Sequence, residues 1–265
     1  MIRIGANPFA AFFAALRFFT RIPVPSAPDG SYDARQHLEQ ALPYLPLIGI
    51  LVGAIGASIT ALALQLLPPA LAVLAGMAAT LLATGAFHED GFADAVDAFG
   101  GAMDKTRVLE IMKDPRIGSF GAIAIAMMLL AKFEVLLGIL ARDGIRGLAL
   151  ALIAAHAVSR LAPVFLVCAL EYVRDEATSK SAPLTTKLSM PALGAATIVG
   201  SAPGLLLSGR MSLPAFAAYG LAAVSTALAG RYFYRRIGGY TGDCLGAAQQ
   251  LCEIAFYCGL LCGFT

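Results

Sequence analysis

Four carboxylates fall within nine residues of this chain: Glu89, Asp90, Asp94 and Asp97, in the string FHEDGFADAVDAFGG (87–101). No Lys or Arg separates them, and an almost uncharged apolar run precedes them. Each residue of a helix turns about 100°, so Asp94 falls about 40° from Asp90 and Asp97 about 20° to the other side. Three carboxylates then share one narrow face, flanked by Glu89. Carboxylates held this close repel and raise one another's pKa. A cation relieves that repulsion, and hard oxygen donors favour Mg²⁺. The expectation is a metal face of Glu89, Asp90, Asp94 and Asp97; the plainer alternative is a solvated polar face beside an apolar span. Gly91 leaves room for close backbone approach, and Gly100-Gly101 ends the segment.

A basic stretch follows, KTRVLEIMKDPRIGSFG (105–121). Lys105, Arg107, Lys113 and Arg116 are candidate phosphate partners, the arginines through bidentate contacts. Asp114-Pro115 stops the short helix that carries the first of them. Ser119 is a candidate N-cap for the next helix, and Gly118 and Gly121 leave backbone N–H groups open to an anion there. Carboxylates, a cation and Arg/Lys together are what phosphoryl transfer requires: phosphate oxygens are neutralised and departing charge is stabilised. A third segment, RRIGGYTGDCLGA (235–247), places Thr241 and Asp243 before the last apolar run. Either is a plain N-cap; alternatively Asp243 adds a ligand or orients a substrate hydroxyl.

The elements that must position these groups are transmembrane helices. Of 265 residues, 58% are hydrophobic and 14% charged, and the mean hydropathy is +0.76. That composition excludes an ordinary soluble domain and predicts an all-α, polytopic membrane helix bundle in one integral-membrane domain, 1–265. About seven spans are expected, near 44–67, 70–87, 119–140, 147–170, 191–209, 213–230 and 244–264. The N-terminal apolar stretch, broken by Arg17 and closed by Arg21, is too short to cross and reads as an interfacial helix. Polar stretches at about 88–118, 171–190 and 231–243 are expected as active-site loops. Within the spans, Lys132, Glu134, His156, Arg160 and Glu253 must face the bundle or water. His156 and Arg160 lie one turn apart, as a buried packing pair or a substrate contact. Lys132 and Glu134 do not face each other, so each pairs elsewhere. The lone His88 is a base, a ligand or neither. The five cysteines form no CxxC pair and read as small buried apolar residues.

Charge bias sets the expected orientation. With the N-terminus cytoplasmic and seven alternating spans, Arg3, Arg17, Arg21, Arg35, Lys105, Arg107, Lys113, Arg116, Arg174, Lys180, Lys187, Arg231, Arg235 and Arg236 fall on the cytoplasmic side. Only Arg142, Arg146 and Arg210 fall opposite. That excess follows the positive-inside rule and puts the acids where nucleotides are, on the cytoplasmic side of an inner membrane. A transporter is the rival class, since intramembrane acids carry ions; against it, the acids cluster at one edge and no two related halves with interrupted helices are evident. A non-catalytic scaffold is the third.

The strings LRFFTRIPVP (16–25), FHEDGFADAVDAFGG (87–101), LEIMKDPRIGSFG (109–121) and GGYTGDCLGA (238–247) resemble those of the cobalamin synthase family, the adenosylcobinamide-GDP ribazoletransferases. They occur in the family's order and run from near the N-terminus to the last helix. The CDP-alcohol phosphotransferase pattern is not met, because Asp90-Gly91 is followed by Phe-Ala-Asp-Ala rather than by an Ala-Arg pair. The resemblance implies that α-ribazole or its 5′-phosphate attacks the cobinamide-linked phosphate of adenosylcobinamide-GDP, with GMP leaving and Mg²⁺ assisting. In that reading Asp94, Asp97 and Asp243 are catalytic, Arg107, Lys113 and Arg116 bind substrate phosphate, and Glu89, Asp90, Asp94 and Asp97 hold the metal. The expected partners are these substrates and the lipid bilayer, with no nucleic acid; a homo-oligomer is compatible with all of this.

Overall fold

The computed structural model describes residues 8–24, 40–174, 188–207 and 213–262. These residues form helices α1 (Pro8–Phe19), α2 (Leu45–Ala63), α3 (Pro69–Thr84), α4 (Phe87–Gly101), α5 (Lys105–Ile111), α6 (Ser119–Ser159), α7 (Leu161–Ala169), α8 (Met190–Leu207), α9 (Leu213–Ile237) and α10 (Gly242–Leu261). Among the described residues the only strand-like pairing is a single bridge between Tyr172 and Tyr240. The expected all-α bundle is therefore what the described residues form. Most of the 171–190 stretch lies outside the described residues, as do Arg3, Arg35, Lys180, Lys187 and Arg210.

The expected count of about seven crossings is not confirmed. Among the described residues three helical stretches are long and apolar enough to cross a bilayer: Leu42–Ala63, Ser119–Ala169 and Gly242–Leu261. A fourth counts if the bent pair α3 and α4 is one broken span. The expected second span ends early because Gly85 and Ala86 both adopt left-handed backbone, at φ 66° and 55°. Glycine takes that conformation freely; for Ala86 it costs about 1–2 kcal/mol. The corner turns α4 away from α3 by 87°. Residues 191–209 give only a shorter apolar helix, Met190–Leu205. Helix α1 has 12 residues, about 18 Å, and is likewise short of a crossing.

The expected third and fourth spans lie in one apolar stretch that reverses on itself. Gly144, at φ 67°, breaks the helical backbone of α6. Lys132, before the break, sits 2.9 Å from Glu253, and His156, after it, sits 3.7 Å from the same carboxylate. A straight helix would hold these two residues about 36 Å apart. The two arms of α6 therefore run antiparallel, with α10 against both. Helix α2 closes on the second arm at Gly49, where a Cβ would overlap the backbone of His156, as small residues at a helix crossing allow.

Two of the three expected loops are helical. Residues 88–118 form α4 and α5, and α9 continues to Ile237, so only 238–241 connect it to α10. In α4, seven residues of the 87–101 string are buried, including Phe92, Ala95 and Ala98. That apolar side is what docks the acidic string into the bundle instead of leaving it in solvent.

Candidate active site

Helices α4 and α10 cross at glycines. A Cβ on Gly91 would sit 3.1 Å from Asp243 Cα, and one on Gly246 would sit 3.0 Å from the carbonyl of His88. This backbone contact brings the exposed Asp90 and the half-buried Asp94 beside Asp243, in the first turn of α10. Thr241 is the N-cap of α10, its hydroxyl accepting from the Cys244 amide at 3.2 Å. With the cap supplied by Thr241, the Asp243 carboxylate is left to face Arg174, 2.7 Å away. Arg174 is held in place from both sides. The Tyr240 amide donates to Glu171 and the Val173 amide donates to Tyr240, which pins the segment before it; its own guanidinium donates to the Met112 carbonyl at the end of α5.

Asp94 shows how much negative charge this mouth concentrates. Burial, then Asp243 and Asp90, push its carboxyl up to about 7, against a smaller opposing pull from Arg174. Asp94 lies on α4, past the corner that turns this helix off α3, and so outside the three crossing stretches.

The four acids of the 87–101 string do not converge. Among the described residues no group of three His, Cys, Asp or Glu side chains is arranged to hold a metal ion. Glu89 points into the bundle, where Gln250 donates to it at 2.9 Å and Lys132 lies 3.9 Å away. Asp97 is buried, and its two oxygens accept the amides of Gly118 and Gly121 at 2.7 and 2.8 Å. It thus caps α6 from a neighbouring helix. The open N–H groups expected to receive an anion receive this carboxylate, and Ser119 makes no cap. Equal angular spacing on α4 does not produce equal surroundings: Asp90 and Asp94 face the mouth, while Glu89 and Asp97 are drawn off at either end.

The basic candidates lie around α5. Arg107 pairs with Glu110 at 2.9 Å, and Arg116 makes a bidentate pair with Asp114 at 2.9 and 2.7 Å; all are exposed but Asp114, which is partly buried. Arg116 holds the Asp114 carboxyl down at about 2. Lys113 is exposed and forms no ion pair among the described residues.

Arg174 proves central to the site, and Gln249 and Gln250 to the buried network behind it. Arg174 entered only as a basic residue, and nothing local marks the strand-like contact that delivers it. Gln249 and Gln250 had a visible signal, two adjacent amides in an apolar helix. Gln249 donates to Ser159 and Glu253, both at 2.8 Å, and Gln250 to Glu89. His156 and Arg160 form the packing pair, the guanidinium 3.1 Å from the imidazole; Glu134 is exposed. His88 is buried and stacked on Phe19 at 6.3 Å, away from the mouth. All five cysteines are free.

The architecture and the mouth define a helical bundle of membrane type with carboxylates and an arginine gathered at the start of one crossing helix. The sequence profile of the cobalamin-5-phosphate synthase family matches residues 11–261. The chain belongs to that family, and so is a transferase of cobalamin biosynthesis. Its relatives include proteins named adenosylcobinamide-GDP ribazoletransferase. That of Leptothrix cholodnii is 42% identical over 95% of each chain, that of Ralstonia nicotianae 45% over 92% of each, and that of Ralstonia pickettii 46% over 95% of this chain and 94% of its own. No solved structure matches.

Proposed function

We propose that this chain joins α-ribazole, or its 5′-phosphate, to adenosylcobinamide-GDP at the mouth between α4, α10 and α5. The ribazole hydroxyl attacks the phosphate next to cobinamide. The new P–O bond forms to that oxygen, the bond to the GMP phosphate breaks, and GMP carries off the electron pair. The observation that carries this reading is the convergence of Asp90, Asp94, Asp243 and Arg174 where Gly91 meets Gly246. The names of the relatives supply the substrates.

The donor set fits Mg²⁺ shared with a diphosphate. This ion is usually bound by one or two carboxylates together with substrate phosphates, not by an all-protein cage. Asp90 and Asp94 are the two available carboxylates, and their crowding with Asp243 is the repulsion that a cation relieves. When bound, the cation would neutralise phosphate oxygens. Asp97 keeps the start of α6 in place beneath this site, and Glu89 fixes the other end of α4. Asp243, oriented by Arg174, accepts the proton of the ribazole hydroxyl. Arg174, Lys113, Arg107 and Arg116 stand for the phosphates of the nucleotide, Arg107 and Arg116 exchanging their local acidic partners for it.

In the bilayer, the two arms of α6 would cross separately and the acidic mouth would face the cytoplasm of an inner membrane, as the excess of Lys and Arg on that side favours. The test is Mg²⁺-dependent GMP release from adenosylcobinamide-GDP and ribazole by the chain in proteoliposomes. Release should fall at least 100-fold for Asp94→Asn with membrane insertion intact. Near-normal turnover of that variant at saturating Mg²⁺ would refute the assignment.

A further inference from the structure

A groove of about 870 Å³ lies between α4, α9 and α10, on the side of α4 away from the carboxylate mouth. Phe92 and Val96, which line it, are each about 160° around the helix from Asp94. Its walls are apolar, with Val96 and Phe99 from α4, Leu228 from α9, and Leu251 and Ile254 from α10. At one end stand Arg231 and Arg235. They are one helical turn apart, so they present to the same face, and both are exposed.

Neither arginine forms an ion pair among the described residues. Their neighbour Arg236 is committed elsewhere: it donates to the Phe99 and Ala102 carbonyls at the end of α4 and lies over the Phe99 and Tyr232 rings. Two unmatched cations above an apolar trough describe a site for an anionic amphiphile. The length agrees. From Ser225 to Arg235 the α9 wall rises about 15 Å, half of a hydrocarbon core of roughly 30 Å, so the trough is one leaflet deep. A substrate phosphate seated on these arginines would be separated from Asp94 by the body of α4.

We propose that this groove holds an anionic phospholipid of the surrounding leaflet, its phosphate on Arg231 and Arg235 and its acyl chains along Val96, Leu228 and Leu251. The acidic helix is then backed by lipid on one face while it presents Asp90 and Asp94 on the other. Juxtamembrane Arg and Lys attract anionic headgroups in this way, and long cationic side chains reach the interface while their stems stay in apolar surroundings.

The test is native mass spectrometry of the full chain released from nanodiscs of phosphatidylcholine with phosphatidylglycerol. The wild type should retain one phosphatidylglycerol at least fivefold more than phosphatidylcholine. Arg231→Gln/Arg235→Gln should abolish that preference, whereas Arg142→Gln/Arg146→Gln, beside the Gly144 turn, should keep it. Leu228→Trp, which fills the trough from its exposed side with both arginines present, should cut retention of either lipid at least threefold. Equal retention of the two lipids by the wild type, or undiminished preference in the Arg231/Arg235 variant, would overturn the proposal. Displacement of the bound lipid by millimolar glycerol phosphate would also overturn it, showing a site for free phosphate.

Discussion

Asp97 is where angular spacing and observed contacts part company, so its substitution is the sharpest test of how the acidic string is used. Both carboxylate oxygens accept amides at the start of α6, from Gly118 and Gly121. Hydrogen bonds to a buried charged group are worth about 1.5–3 kcal/mol each, and the charge also meets the positive end of the helix dipole. Asp97→Asn keeps one acceptor and turns an NH₂ toward the second amide, at a cost of about 2 kcal/mol. Asp97→Ala strands both amides, at about 4 kcal/mol. At roughly 2–4 °C per kcal/mol for a chain of this size, the Asn variant should melt about 4–8 °C lower. Thermal unfolding in detergent reads this directly, alongside GMP release in proteoliposomes, where the Asn variant should keep activity within tenfold at low temperature. Gly121→Ala offers an independent route, because its Cβ would overlap the Asp97 carboxylate. It should match the loss, and the double variant should add little to either single one. An Asp97→Asn protein that melts like the wild type yet loses activity 1000-fold, with partial rescue by excess Mg²⁺, would refute the capping role and make Asp97 a ligand.

Other expectations concern charge. A carboxyl must lose its proton to take a cation, and Asp94 titrates at about 7; apparent Mg²⁺ affinity should therefore weaken up to tenfold per pH unit below 7 and level off above 8. The raised value also means that the cation-free fold loses stability as pH climbs from about 4, where the unfolded carboxyl ionises, to about 7. Asp243→Asn removes a group that raises Asp94 and should move the Mg²⁺ break to lower pH; Arg174→Gln removes one that lowers it and should move the break upward, both read from Mg²⁺ binding by calorimetry at several pH values, since either variant also impairs turnover. Lys132→Met alone should cost about 3–5 kcal/mol, because it leaves Glu253 buried without its closest cation. Lys132→Met/Glu253→Met should recover at least half of that in the same unfolding assay.

Much of the chemistry was legible because it is local. The 87–101 acids, the stretch after Lys105 and the GGYTGD turn are contiguous strings, and the mouth draws on all three. The role of Gly91 could be read for the same reason, since a missing Cβ is a fact of sequence. Which acids serve the mouth was not legible. Glu89 and Asp97 are diverted by Gln250 and Lys132 and by the amides of Gly118 and Gly121, all of them remote along the chain or on other helices. Arg174 escaped notice because its position depends on a backbone contact between residues 171–173 and Tyr240. The number of crossings was not legible where composition is silent on direction, as at the left-handed Ala86 and at 191–209, where the apolar helix runs short. The charged residues of the spans were expected to face the bundle, but their partners were not legible: Lys132 pairs with Glu253, 121 residues on, at 2.9 Å.

That shared carboxylate has a consequence for how the protein is made. Lys132 and His156 sit on the arms of α6 and Arg160 directly follows the second, whereas Glu253 and Gln249 belong to α10. A ribosome therefore delivers the cations to the membrane and synthesises all of residues 161–248 before their counter-groups exist. The nascent hairpin must meanwhile keep its Lys and Arg wet or lightly held by Glu89. The arrival of α10 is then the step that drives water out and lets the bundle close, so chains released before residue 253 should remain loosely inserted and be the ones that quality-control proteases remove.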